Sequence, residues 1–97
     1  MARVRRTATA RGDLKEIWHY VAADSEGAAD RLLDQIEETV ELLGTFPMLG
    51  RPRNDLRMGM RSFPVGNYLI FYKLGKDGIT VVRVLGGYRD LDTLFRG

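Results

Sequence analysis

Hydrophobic positions between residues 14 and 43 recur on a helical period. Leu14, Ile17, Trp18 and Val21 stand at i, i+3, i+4 and i+7, which predicts one apolar stripe along a first helix. Asp13, Lys15, Glu16 and His19 then face elsewhere, and Thr7 or Thr9 is placed to cap the start. Ala23-Asp24-Ser25-Glu26-Gly27 interrupts the pattern. A second, longer stripe follows in Ala29, Leu32, Leu33, Ile36, Val40 and Leu43, with Asp30, Asp34, Glu37, Glu38 and Glu41 on the outer side. Gly44 is expected as the C-terminal cap, and Pro47 prevents continuation. The short connection predicts an antiparallel helical hairpin.

Beyond a loop over residues 45–59 the period changes towards two. Met60 to Val65 reads as a strand in which Pro64 marks an edge or bulge. Gly66-Asn67 is turn chemistry, Tyr68 to Leu74 is a strand of aromatic and branched residues, and Gly75 to Gly78 is a hairpin loop. Ile79 to Leu85 forms another strand, after which Gly86-Gly87 turns the chain out of the sheet. Leu91, Leu94 and Phe95 are placed to pack a final helical turn. With a short strand at residues 3–8, the pattern predicts an α+β domain over 1–97: an N-terminal strand and an antiparallel helical hairpin packed on an antiparallel β-meander. One face of the meander buries the helical stripes; the other is expected to be open.

Composition narrows the chemistry. No cysteine and one histidine exclude disulfides, thiolate metal sites, a cysteine nucleophile and a multi-histidine metal site. A 97-residue chain has little volume for a deep cofactor pocket, so no cofactor is expected. No apolar run approaches the ~18 residues of a membrane span, and the basic N-terminus lacks a signal core, so a cytoplasmic location is expected. Net charge is +2, but residues 11–44 carry −6 and residues 45–97 carry +5. Arginine supplies 12 of the 15 positive charges, and its planar fork suits carboxylate or phosphate.

Arg51, Arg53, Arg57 and Arg61 fall within eleven residues, opposed by Asp55, while Arg83 and Arg89 lie on and just after the last strand. Neighbouring strands are ~5 Å apart, so Arg61 and Arg83 can share the open face if the registers agree. Such a cluster suits phosphodiesters or an acidic peptide; the alternative is that it pairs with the acidic helices. A nuclease would also need proton donors and acceptors that titrate near neutrality. Tyr88 is the one attractive candidate. His19 reads as a surface histidine and Trp18 as core. Asp90 and Asp92 lack the further ligands of a metal site, and Gly86-Gly87 matches no phosphate loop.

The ordered set of segments resembles the RelE/ParE toxin superfamily. These are Asp13 to Tyr20, Leu43 with Phe46 through Leu56, Gly59-Met60-Arg61, Tyr68 to Lys73, Val82 to Leu85, and Arg89-Asp90. The Gly50-Arg51-Pro52-Arg53 loop and the Arg89-Asp90 tail are closer to the ParE branch. The resemblance implies a strand–helix–helix–meander fold and a bacterial type II toxin neutralised by a small, partly disordered antitoxin, expected to be of the ribbon-helix-helix type. Operator DNA would be reached only through that antitoxin. ParE-type toxins trap DNA gyrase in a DNA-cleaved state without catalysing a reaction; RelE-type toxins cut mRNA in the ribosomal A site. On the gyrase reading, Arg51, Arg53, Arg61, Arg83 and Arg89 are the expected target-binding residues. On the nuclease alternative, Arg61, Arg83 and Tyr88 carry catalysis. Where ParE-like tails often have histidine this chain has Gly86, which weakens the nuclease reading while Tyr88 keeps it open.

Overall fold

The computed structural model describes residues 3–86 and Phe95. Strand β1 (Arg3–Arg6) leads into helix α1 (Ala8–Ala22), and α2 (Glu26–Thr45) follows after three residues. Thr7 caps α1 by accepting from the Ala10 N–H, and Ser25 caps α2 by accepting from the Ala28 N–H. Gly44 lies inside α2 and is buried, not at its cap; the helix runs to Thr45 and is stopped at Phe46 by Pro47, which opens a 3₁₀ turn over Pro47–Leu49. Trp18 is only partly buried, and its indole donates to Asp30 Oδ1 at 2.9 Å, tying the two helices together.

Four further strands follow: β2 (Arg51–Pro52), β3 (Met60–Val65), β4 (Tyr68–Leu74) and β5 (Gly78–Gly86). The sheet order is β1-β5-β4-β3-β2. The antiparallel meander is present in β3–β4–β5, joined at its first turn by Gly66, whose φ of 56° suits a two-residue hairpin. Two features depart from the sequence expectation. Arg51 and Pro52, read as loop, pair with Ser62 and Arg61 as a short edge strand. The N-terminal strand joins the sheet in parallel, Arg3 opposite Gly78 and Arg6 opposite Val81, making the sheet mixed. The helices form a crossover between β1 and the sheet, and a crossover delivers a strand parallel to its neighbour. Pro64 is exposed on the stretch of β3 that β2 does not cover, where a missing N–H costs nothing.

The helices cover one face of the sheet. Ala10, Ile17, Ile36, Val40 and Leu43 pack there with Val65, Ile70, Tyr72, Ile79, Val81 and Val84. The opposite face is not bare. Met60, Phe71, Leu85 and Phe95 form a second apolar cluster, with Leu56, Leu69 and Val82 packed against it. The Phe71 and Phe95 rings lie 4.8 Å apart.

Candidate functional site

Strand alternation sorts the arginines. Arg61 pairs with Tyr72, whose ring belongs to the helix-side core, so Arg61 also lies on that side, at its margin. Its guanidinium donates to the carbonyls of Gly50 at 2.5 Å and Met48 at 3.4 Å, pinning the 3₁₀ turn. Tyr72 anchors the same turn from below. It is fully buried, its hydroxyl donates to the Pro47 carbonyl at 2.6 Å, and it accepts from the Gly50 N–H at 2.8 Å. Burial pushes the phenol above its ordinary pKa, against the opposing pull of the Gly50 hydrogen bond and the Arg61 charge. A Cβ at Gly50 would overlap the Tyr72 hydroxyl and ring, so this close approach requires glycine.

Arg83 also turns to the helices. A register irregularity opposite Phe71 and Tyr72 gives β5 one extra residue, Val82, and breaks the alternation. Val82 packs into the second cluster while the Arg83 guanidinium meets Asp13 of α1 through Nε at 2.8 Å and Nη2 at 2.9 Å. Asp13 Oδ2 also accepts from the Val84 N–H at 3.0 Å. Asp13 was expected to face away from the apolar stripe; its side chain is instead 8% exposed, because it caps the backbone at the bulge and pairs a cation there. The Asp13 hydrogen bond raises the Arg83 pKa above its already high ordinary value. Beside this pair, a cleft of about 250 Å³ lies among Asp13, Glu16, Ile17, Tyr20, Tyr68 and the end of β5.

Arg51, Arg53 and Arg57 gather on the other side. Arg51 pairs with Ser62 in the register, and Arg53, two residues on, shares its face. Arg53 lies 5.9 Å above the Phe71 ring centre, reaches Ser62 Oγ at 3.4 Å and holds Asp55 through two contacts of 3.2 Å. That hydrogen bond keeps the Asp55 carboxyl below the ordinary carboxylate range. Arg57 lies 5.6 Å above Phe95 and meets its carbonyl at 3.5 Å. Lys73, opposite Met60, falls on the same face.

The single convergent patch expected from the sequence therefore divides. Arg51 and Arg53 share a face with Arg57, which was not among the expected target-binding residues. Arg61 and Arg83 are committed to internal acceptors on the helix side. Arg89 and Tyr88 lie outside the described residues, as do Asp90 and Asp92. His19 is exposed. Among the described residues, no group of three metal-ligating side chains is placed to hold an ion, and no helix is long and apolar enough to cross a membrane. The bulge and the Tyr72 anchor carried no sequence signal beyond an apolar strand; the pairing of Asp13 with Arg83 joins residues 70 apart.

The same arrangement of a mixed sheet with a helical hairpin on one face recurs in chains of solved toxin–antitoxin structures. The fold matches a chain of a chromosomal ParDE system from P. aeruginosa with a TM-score of 0.74, at 22% identity over 89% of this chain and 96% of that one. It matches a chain of the RelBE2 toxin–antitoxin complex from Mycobacterium tuberculosis with a TM-score of 0.63, at 28% identity over 88% and 96%. In sequence it is 36% identical to Toxin ParE3 of Caulobacter vibrioides over 92 residues, 94% of this chain and 92% of that toxin. It is 31% identical to Toxin ParE1 of M. tuberculosis over 86 residues, 86% and 87% of the two chains. Residues 4–91 match the family described as ParE toxin of type II toxin-antitoxin system, parDE. The chain belongs to that family of ParE toxins.

Proposed function

We propose that this chain, acting as one toxin domain over 1–97, arrests growth by inhibiting DNA gyrase in the cytoplasm. A cognate antitoxin, of the ribbon-helix-helix type, neutralises it and links it to operator DNA. Membership of the ParE family carries this reading. The internal commitment of Arg61 and Arg83 supports inhibition by binding over strand cleavage. A guanidinium already paired bidentately with a carboxylate is a poor clamp for a phosphate in a transition state. Arg51 and Arg53, with Arg89 beyond the described residues, serve as the target-binding arginines; Arg61 and Arg83 act by holding the fold that presents them.

Purified toxin should inhibit gyrase supercoiling and raise the yield of cleaved DNA, and the purified antitoxin should reverse both. Unchanged supercoiling and cleavage at saturating toxin would overturn the proposal. Codon-spaced mRNA cuts in a translation extract would replace it with the nuclease reading.

A further inference from the structure

The arginine-bearing sheet face presents its cations in an ordered way. The Arg53 and Arg57 guanidiniums stand over Phe71 and Phe95, at 5.9 and 5.6 Å from the ring centres, and the two rings pack on each other. Phe71 is fully buried and Phe95 is 7% exposed, so neither ring is free to receive a base. Neither ring therefore offers the stacking by which single-stranded nucleic acid is read, and contact with a backbone is what the described arginines supply. Arg51 is exposed and sits two residues from Arg53 on the same face. Residues so spaced in a strand are about 6.6–6.8 Å apart, so the side chains beside Arg53 project from one stretch of the same face. Among the described residues, neither Arg51 nor Arg57 forms a salt bridge; Asp55 is the carboxylate on Arg53 and is itself exposed. Lys73 adds charge to the same face.

We infer that Arg51 and Arg57, flanking the Asp55-paired Arg53, bind the phosphate backbone of duplex DNA, so that the toxin grips the DNA held by its target as well as the protein. The inference rests on the gyrase reading and names a partner for the same face. Planar donors on a face of net positive charge, with no open aromatic ring there among the described residues, fit phosphates in a sequence-independent manner.

The test uses the full-length toxin and a fluorescein-labelled 20-base-pair duplex, with anisotropy read from 50 to 200 mM salt. Two phosphate contacts give a log–log slope of at least about −1.8, an affinity loss of about 12-fold over that range. The double variant Arg51→Ala/Arg57→Ala should lose about 1.8 of the slope, while Arg51→Lys/Arg57→Lys retains it. Arg11→Ala and Lys76→Ala, exposed on other surfaces, should leave it unchanged. Thermal melting confirms that each variant is folded. No duplex binding, an unaltered slope in the double alanine variant, or tighter binding of a single-stranded RNA of equal length would overturn the inference. Gyrase cleavage assays on the same proteins separate the two claims. Poisoning without toxin–DNA binding sinks this inference alone, and loss of poisoning in the alanine variant without any wild-type DNA binding assigns the face to an acidic protein surface instead. DNA binding through these arginines by a toxin that leaves gyrase untouched upholds the inference while the gyrase reading falls.

Discussion

Asp13→Ala is the sharpest probe of how the helices are fixed to the sheet. The carboxylate accepts three hydrogen bonds: two from Arg83 at 2.8 and 2.9 Å and one from the Val84 N–H at 3.0 Å. Removing it strands a buried backbone donor, which costs about 1–3 kcal/mol. It also leaves a guanidinium without its counter-charge. Breaking one side of a fully buried ion pair costs about 3–5 kcal/mol. Arg83 is 22% exposed, so water recovers part of that loss. We expect a net destabilisation of about 2–4 kcal/mol, a large fraction of the ~5–15 kcal/mol typical of such a domain. Urea unfolding followed by circular dichroism measures it. Arg83→Met and the double variant Asp13→Leu/Arg83→Met complete a cycle, in which the double change should cost clearly less than the sum of the single ones. Because the Arg83 pKa is raised, the stability linked to its protonation is complete below the ordinary arginine value and declines as pH rises through the folded-state value. A loss under about 1 kcal/mol in Asp13→Ala, or coupling under about 0.5 kcal/mol, would refute the assignment of Asp13 as the clasp between α1 and β5.

Tyr72→Phe removes the hydroxyl that bridges Pro47 and Gly50, and should cost about 1–3 kcal/mol in the same unfolding assay. The raised phenol pKa favours the neutral form in the folded state. Stability from this group is therefore complete below pH ~10 and declines as pH rises through the folded-state value, a decline that Tyr72→Phe should lack. Asp55 should titrate below the ordinary carboxylate value by carbon-detected NMR and return towards it in Arg53→Ala; a midpoint insensitive to Arg53 would rule out the contact.

The helices, their apolar stripes and the three-stranded meander were legible because each repeats on its own period over many residues. The sequence also marked Arg51, Arg53, Arg61 and Arg83 as a set. What it could not convey was direction. Alternation predicts the face of a strand residue only while the register is unbroken, and one extra residue in β5 sends Arg83 to the helices. Asp13 misled for a related reason: a carboxylate beside an apolar stripe reads as solvent-facing until a backbone N–H and an arginine from the far end of the chain are brought to it. Arg57 reads from the sequence as part of the loop cluster but not as a target-binding residue, because its place over Phe95 is a contact across 38 residues. The parallel placement of β1 likewise depends on chain path and leaves no local trace.

That placement bears on how the polypeptide is made. The first strand finds its hydrogen-bonding neighbour only in residues 78–81, so for most of its synthesis it has nothing to zip against. The helical hairpin can form early from local contacts, but its apolar underside waits for the same late segment. Assembly should thus be abrupt and follow the synthesis of residues 78–81, with incompletely folded chains before it. For a member of a toxin family, such a schedule means that a chain cut short before residue 78 lacks the neighbour on which its first strand and helices close.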